Sequence, residues 1–287
     1  MTLAAWSDCW LSLYVIPAGL RPSTLAMYRR AINAIPDTLM KTELEKLRPI
    51  MILSWLRGVE RTHPRAAQLD RMTILQMLHK AYLLREIPFD LSPDAIPKAK
   101  HHAKETACLT PDQLRQYVAG AAAVTGRAWP ALLLCCCGLR RGEALGVRRT
   151  DLSGCALQIV RQRINGHAAP LKTRNSSRTI ILPEQIAQQL RDAPRTRSGY
   201  LTDVTQAELY AAHRAALAAL GLPPVTLHGL RHSLAVSCAA SGMAPAMLRQ
   251  LLGHTDIRLT MNLYANHPSA TPSPTLGALM LLPSRAA

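Results

Sequence analysis

The sequence predicts a two-domain protein of the α+β class that is mostly helical and contains one small antiparallel sheet. Its 287 residues suit two domains of ordinary size. Apolar residues at helical spacing fill residues 1–100 without a strand pattern. Strand signals occur only in the second part, on either side of Asn165-Gly166. Hydrophobic residues make up 48% of the chain, which is enough for a sizeable core.

The first 100 residues predict a bundle of helices. The first helix spans residues 3–14, and Pro22-Ser23-Thr24 opens the second, with Ser23 or Thr24 as its N-cap. Pro36 ends this second helix, because proline cannot continue it. Further helical segments are predicted over residues 43–47, from Pro49 onward and over residues 64–85.

A change of composition marks the boundary between the domains. Pro88, Pro93 and Pro97 precede the basic stretch KAKHHAK, and proline density followed by charge is typical of a linker. We therefore predict a helical domain over residues 1–100, a basic linker over 101–107 and a second domain with a C-terminal tail over 108–287.

The second domain begins and ends with predicted helices. Thr110 is a candidate N-cap with Pro111 at the first helical position, and ALLLCCC predicts a buried helix. Asn165-Gly166 predicts a hairpin turn. Helices follow Pro183 up to about Tyr264, and a proline-rich tail follows them. Three strands are predicted, over residues 157–164, 169–173 and 178–182.

The charge of the chain favours a polyanionic partner. Thirty-four Lys and Arg against eighteen Asp and Glu give a net charge of +16, of which residues 101–287 carry +11. Such a surface binds phosphates by releasing their counterions. The alternative at this point is a basic protein with no role in nucleic-acid binding.

Other classes of protein fit the sequence poorly. The seven cysteines are scattered without CxxC spacing, which indicates neither a disulfide framework nor a zinc site. No stretch has the pattern of a signal peptide or the apolar length that spans a bilayer. We expect a cytoplasmic, nucleoid-associated protein that does not contact membranes.

Four separate segments carry side chains suited to cleaving a phosphodiester: GLRRGE, LKTRNSSR, HGLRH and LGHTDIRLTMNLY. Planar guanidinium groups match pairs of phosphate oxygens, so Arg140 and Arg231 suit the phosphate. Lys172 could act as the acid and Tyr264 as the nucleophile. His228 lies three residues before Arg231, so both share one face of a helix.

Each of these signals is weak by itself. His228 and His232 have the spacing of a zinc pair, but the metalloprotease motif needs Glu where Gly229 stands. We therefore expect no metal, and we assign His232 to structure rather than catalysis. An arginine after Gly-Leu is commonly a surface charge, and a tyrosine such as Tyr264 is commonly a half-buried core ring.

The order and spacing of the four segments resemble the tyrosine recombinase, or phage integrase, family. GLRRGEALGVRRTDL looks like its first arginine box, LKTRNSSRTIIL its lysine hairpin and TLHGLRHSLAVSCAASG its His-x-x-Arg box. LLGHTDIRLTMNLYANH resembles its final box, with the tyrosine ten residues after the histidine. The likeness runs over residues 105–267. More weakly, LRPSTLAMYRRAI is similar to the family's helical core-binding domain, which suggests the two-domain layout of Xer-type members.

The resemblance implies a role for each matched residue. Arg140 and Arg231 bind the scissile phosphate, and Glu143 orients neighbouring catalytic side chains. It further implies that Lys172 protonates the 5′-hydroxyl leaving group, that His228 exchanges a proton with the tyrosine, that His254 hydrogen-bonds the phosphate and that Tyr264 forms a 3′-phosphotyrosyl bond. Further contacts to DNA are expected from Arg29, Lys98, Lys100, Lys104, Arg141 and Arg174.

The implied function is site-specific strand exchange by two domains that clamp double-stranded DNA. Four protomers would act on two recombination sites, without metal, nucleotide or other cofactor. Integration or excision of a mobile element or prophage is favoured over resolution of chromosome dimers. Whether an accessory directionality protein takes part stays open. The alternatives are a catalytically silent DNA-binding regulator with this fold and a relaxing enzyme like type IB topoisomerases. Tyr200 or Tyr210 would be the next candidate nucleophile.

Overall fold

The computed structural model divides the chain into two compact units, Met1–Lys104 and Glu105–Ala287. The structure describes residues 1–90, 94–98, 106–171, 173, 176–253 and 261.

Among the described residues of the first unit, all regular elements of secondary structure are helices. They are α1 (Leu3–Trp10), continued by a π-helical turn (Leu11–Val15), α2 (Pro22–Asn33), α3 (Asp37–Met40), a 3-10 turn (Leu44–Lys46), α4 (Pro49–Thr62) and α5 (Pro64–Leu83). The predicted helices are confirmed, but the predicted N-cap of α2 is wrong. Arg21 is the N-cap and Pro22 the first helical residue, because the fixed φ of proline suits that position. Ser23 and Thr24 therefore lie inside the first turn.

Helix α5 forms the centre of this unit. Its buried residues Ile74, Met77 and Leu78 follow helical spacing and join one hydrophobic cluster with α1. The indole Nε1 of Trp6 in α1 donates a 3.0 Å hydrogen bond to the carbonyl of Met77, so the ring is fixed as well as buried.

The second unit packs helices around α8. Its helices are α6 (Pro111–Gly120), α7 (Ala122–Thr125), α8 (Trp129–Cys136), α9 (Arg141–Gly146), α10 (Glu184–Asp192), α11 (Gln206–Ala219), α12 (Leu227–Ala240) and α13 (Pro245–Leu252). Thr110 caps α6 and Pro111 is its first residue, as predicted. Residues 131–137, which include three free cysteines, are fully buried, so the predicted core helix is also confirmed.

The strands pair differently from the prediction. They are β1 (Leu152–Ser153), β2 (Ala156–Ile159), β3 (Gln162–Ile164), β4 (His167–Ala169) and β5 (Arg178–Ile181). One antiparallel sheet has the order β1-β2-β5, and none of the described residues of the predicted strand 169–173 belongs to it. The predicted strand 157–164 is in fact two strands, β2 and β3. Residues 160 and 161 between them belong to neither strand, and Arg161 forms an ion pair with Asp151.

Strands β3 and β4 form a separate hairpin. Asn165 and Gly166 both have positive φ, 49° and 83°, and connect Ile164 to its partner His167. The predicted turn is therefore confirmed, with the left-handed backbone that two-residue hairpin loops need.

Two glycines let this hairpin lie directly on α9. A Cβ on Gly142 would come 3.2 Å from the side-chain oxygen of Gln162. A Cβ on Gly146 would come 2.8 Å from the Cα of Gln162 and 2.9 Å from its carbonyl carbon. The Gln162 side chain also donates a 2.7 Å hydrogen bond to the carbonyl of Pro170. The hairpin and the chain that follows it are thereby held against the helix that begins beside Arg140.

No single helix among the described residues is long and apolar enough to cross a membrane. Two consecutive segments, Pro111–Gly120 and Ala122–Cys136, reach the required length and composition only together, and a bend of 51° separates them.

The close approach of α9 and β3 gives a stability prediction. Gly146→Ala should lower the free energy of unfolding by ~1–3 kcal/mol, because the new methyl group meets backbone rather than a movable side chain. Gly58→Ala in α4 is the control, since a Cβ there meets nothing within 4 Å. It should instead stabilise by ~0.5–1 kcal/mol, the usual gain for alanine in a helix. Urea denaturation followed by circular dichroism measures both, and a Gly146→Ala protein as stable as wild type would contradict the packing.

Candidate active site

Arg140 is placed by the turn that joins α8 to α9. Gly138 makes the turn with φ of 89°, and Arg140 becomes the N-cap of α9. Glu143, three residues into the helix, accepts a 3.0 Å hydrogen bond from the Arg140 backbone N–H and one of 2.7 Å from its Nη1. The same carboxylate therefore caps the helix and directs the guanidinium.

Glu143 is a buried carboxylate held by two arginines. Its side chain is 3% exposed, and its second partner is Arg178 at the start of β5, whose Nη2 lies 3.1 Å from Oε2. Burial by itself would raise the pKa of Glu143, but the charge of Arg178 and the hydrogen bonds from Arg140 and Arg178 outweigh it. The pKa consequently lies below its usual value, and the group is ionised at neutral pH.

Arg231 lies on α12 and is almost completely buried, at 2% exposure. Its Nη1 donates to the carbonyl of Gly138 and its Nη2 to the carbonyl of Leu252, both at 2.7 Å. Burial, and after it the charge of Arg140, lowers the pKa of Arg231 to about 9, so the guanidinium stays protonated at neutral pH. These bonds fix the plane of the guanidinium.

The C-terminal end of α13 receives three arginines on three successive carbonyls. Leu251 accepts from Nε of Arg178 at 2.8 Å, Leu252 from Arg231, and Gly253 from Nη2 of Arg140 at 3.1 Å. The last carbonyls of a helix lack partners within it and carry partial negative charge, so cations suit them. This contact joins the arginines to the chain immediately before His254.

Gly253 is required at this end for two reasons. Its φ of 65° is left-handed, as is usual just after a helix. A Cβ on it would also come 3.0 Å from Nη1 and 3.3 Å from Cδ of Arg178. The glycine of the Leu-Gly-His box is thus set by backbone conformation and by the arginine beside it.

His228 lies in the first turn of α12, on the exposed side of the helix. Although the ring is exposed, the surrounding protein still desolvates it enough to lower its pKa below 6.5. The charges of Arg231, His232 and Arg140 lower the pKa further. The imidazole is therefore neutral at pH 7 and has a lone pair to accept a proton.

The helix that carries His228 lies against the chain that enters this unit. A Cβ on Gly229 would lie 2.8 Å from the carbonyl oxygen of Ala107. Two residues further along the entering chain, the Leu109 N–H donates a 2.7 Å hydrogen bond to the hydroxyl of Ser233 on α12. The glycine of the HGLRH segment therefore makes room for backbone. His232, assigned to structure from the sequence, is half-buried on the same helix.

The described candidates for DNA contact have different surroundings. Arg141 donates a 2.6 Å hydrogen bond to the hydroxyl of Tyr210, and its guanidinium lies 5.5 Å from the centre of that ring. Arg29 on α2 and Lys98 are exposed. The Tyr200 ring lies near the guanidiniums of both Arg148 and Arg163.

The structure brings together Arg140, Glu143 and Arg231. His228 lies close enough for the charges of Arg231 and Arg140 to lower its pKa. The other predicted site residues lie outside the described residues: Lys100, Lys104, Lys172, Arg174, His254 and Tyr264. Within the described part of the chain, no group of three or more His, Cys, Asp or Glu could hold a metal ion.

Arg178 is a site residue that the sequence reasoning missed. A signal for it exists, because strand side chains alternate and Arg178 shares its face with the buried Ile180. A charge on the core face of a strand requires a buried partner of opposite charge, and Glu143 is that partner.

Comparison with known proteins agrees with the four motifs. The model of the phage integrase family matches residues 91–270. The integrase of Mycobacterium phage L5 is 23% identical over 288 residues, covering 91% of this chain and 74% of that protein. A XerC-like tyrosine recombinase of Caldanaerobacter subterraneus is 25% identical over 166 residues, 45% of this chain and 42% of its own length.

Solved structures share the fold. The Tn1549 transposon integrase in complex with a circular intermediate DNA aligns with a TM-score of 0.75 at 17% identity, over 95% of this chain and 96% of that one. A lambda integrase dimer bound to a COC′ core site aligns with a TM-score of 0.74 at 18% identity, over 96% of this chain and all (100%) of the other. The predicted fold class is confirmed, and the chain belongs to the phage integrase family of tyrosine recombinases.

Proposed function

We propose that this tyrosine recombinase cleaves and rejoins DNA at specific sites with Tyr264 as its nucleophile. The observation that supports this most is the joint fixing of Arg140 and Arg231 on the end of α13, which runs directly into the segment that carries His254 and Tyr264. A phosphate bound by both arginines would lie near the end of α13, after which the sequence continues to His254 and Tyr264.

The arginines supply the charge that the reaction needs. Negative charge grows on the non-bridging phosphate oxygens as the fifth bond forms. A guanidinium has five N–H donors, and two of those of Arg231 bond to Gly138 and Leu252. We assign the remaining donors of Arg231, and those of Arg140 that do not bond to Glu143 or Gly253, to these phosphate oxygens.

The protons move between groups on either side of the phosphorus. The Tyr264 oxygen attacks, the bond from phosphorus to the 5′ oxygen breaks, and a 3′-phosphotyrosine forms. We assign the tyrosine proton to neutral His228 and the proton on the leaving 5′ oxygen to Lys172, with His254 hydrogen-bonded to the phosphate. Attack by a 5′-hydroxyl reverses the step. The phosphotyrosine conserves the bond energy, so no nucleotide or metal is required.

The proposed substrate is a pair of double-stranded recombination sites held by four protomers. Lambda integrase, which shares this fold, has been solved as a tetramer bound to a Holliday junction. In this arrangement residues 1–100 would be a core-type DNA-binding domain, 101–107 the linker and 108–287 the catalytic domain. Relatives from mycobacteriophages and from transposon Tn916 favour integration or excision of a mobile element, carried out on DNA in the cytoplasm.

The first prediction is that the protein captures DNA covalently and that Tyr264→Phe does not. Nicked duplexes with a randomised centre would be incubated with the protein, denatured, and recovered where they are linked to it. Phe keeps the ring and removes only the attacking hydroxyl. A linked DNA recovered equally from Tyr264→Phe would mean that another residue, such as Tyr200 or Tyr210, is the nucleophile. We call a duplex with the recovered sequence the captured duplex.

The captured duplex also separates the alternatives. Exchange of strands between two copies of it identifies a recombinase, whereas relaxation of a supercoiled plasmid without exchange identifies an enzyme like type IB topoisomerases. Binding without any covalent product from the wild type would instead indicate a silent regulator.

A second prediction separates catalysis from DNA binding. Arg140→Ala should slow cleavage of the captured duplex ~100- to 1000-fold with a modest change in affinity, because one donor to the transition state is lost. Changing Lys98, Lys100 and Lys104 together to Ala should mainly weaken binding. The slope of log affinity against log salt should fall by about one for each phosphate contact removed. Equal effects of both sets on rate and affinity would contradict this division.

A third prediction concerns pH. His228 accepts a proton only when neutral, and its pKa in the DNA-free protein is lowered below 6.5. The acidic decline in cleavage at limiting protein concentration should therefore have its midpoint below pH 6.5. His228→Asn, which has no proton to gain, should cleave slowly and lack this acidic decline. A decline centred above pH 6.5, or one that persists in His228→Asn, would rule out His228 as the acceptor.

A further inference from the structure

Arg178 is a buried cation that contacts three separate parts of the proposed active site. Its side chain is only 5% exposed. Nη2 donates to Glu143, Nε donates to the carbonyl of Leu251 at the end of α13, and Nη1 donates to the carbonyl of Ser176 at 3.0 Å. Each nitrogen of the guanidinium thus bonds to a different structural element.

Each of these three contacts leads to a residue with a proposed role. Glu143 directs the guanidinium of Arg140. Leu251 lies three residues before His254. Ser176 is joined to Thr173, the residue that follows Lys172 in the sequence, by a 3.0 Å backbone hydrogen bond and a 2.9 Å bond between the two hydroxyls.

A direct contact between Arg178 and DNA does not fit this geometry. All three nitrogens of the Arg178 guanidinium already donate to groups of the protein, whereas the nitrogens of Arg231 that bond to the protein are Nη1 and Nη2. Burying an arginine is costly unless a carboxylate and further acceptors compensate for its lost water. The compensating acceptors come from Glu143, Ser176 and Leu251, which belong to three separate segments of the proposed site.

Lysine could not make the same set of contacts. The guanidinium presents its donors in a rigid plane, so one side chain reaches acceptors in three fixed directions. An ammonium is a single centre at the end of a flexible chain, and it could keep the ion pair with Glu143 without holding Ser176 and Leu251 at the same time.

We propose that Arg178 is the positioning residue of strand cleavage, which holds the Arg140–Glu143 pair, the contact between Ser176 and Thr173, and the end of α13 in one arrangement. This inference rests on the function proposed above. It assigns Arg178 an effect on the cleavage rate through other residues, and none on the binding of DNA.

The test compares Arg178→Ala with Arg191→Ala on the captured duplex. Arg191 is the matched control because it is an arginine of the same unit, paired to Glu184 and bonded to the carbonyl of Gly154, and it lies outside the proposed site. Single-turnover cleavage at saturating DNA should fall ~10- to 100-fold in Arg178→Ala, by analogy with the loss of residues that orient the ligands of a metal site. The dissociation constant for DNA should match that of Arg191→Ala.

A double-mutant cycle then shows whether Arg178 acts through Glu143. If it does, Arg178→Ala combined with Glu143→Gln should cleave about as slowly as the slower single variant, because both changes disturb one unit. Rate losses that multiply would overturn the inference. It would also be overturned by a cleavage rate equal to that of Arg191→Ala, or by rate and affinity falling together.

A conservative variant keeps the test decisive if Arg178→Ala fails to fold. Arg178→Lys retains the charge and most of the stem but not the three-way contact, and Arg191→Lys is its control. We expect Arg178→Lys to bind DNA normally and to cleave more slowly than that control, and full activity would overturn the inference. Failure of the proposed function is distinguishable, since the wild type would then form no Tyr264-dependent adduct with any duplex.

Discussion

The ionised carboxylate of Glu143 is the group on which the arrangement of the site depends. A buried carboxylate without partners would cost several kcal/mol, so the fold must surround it with donors. It obtains them from the backbone and guanidinium of Arg140 and from Arg178. One donor comes from the N-terminus of its own helix and the other from the edge of a sheet. Satisfying one charge therefore fixes the distance between α9 and β5, and the direction of Arg140 follows from it.

The end of α13 solves a second electrostatic problem. Arginines placed close together repel, and Arg140 contributes to the lowered pKa of Arg231. Three carbonyls with partial negative charge, together with one carboxylate, offset part of this repulsion and leave the cluster positive. A positive cluster built in this way suits the phosphate that we propose as its ligand. The donors that the protein does not use already have fixed directions, which is the condition for stabilising a transition state without reorganisation.

Local signals in the sequence predicted most helices, and the four motifs predicted the family, but neither predicted the strand pairing or the role of Arg178. Thr110 followed by Pro111 and Asn165-Gly166 act through backbone geometry, so their effects could be predicted without the rest of the fold. The strands that pair with β2 could not be predicted in this way. Strand β1 has only two residues, and the β3–β4 hairpin packs on α9 through contacts that are distant in the sequence. The alternation of the strand could place Arg178 on the buried face, but it could not identify Glu143, which lies 35 positions earlier in the chain, as its partner.

The glycines of the motifs show how chemistry and packing are combined in a short sequence. Gly229 and Gly253 carry no reactive group, yet each stands beside a residue that does. One admits the backbone at Ala107 next to the helix of His228 and Arg231, and the other admits Arg178 next to the carbonyls that hold the arginines. A side chain at either place would move an anchoring element and not the reacting group itself. The spacing of these motifs therefore reflects the close approaches of the backbone at the glycines as well as the side chains that we propose for the chemistry.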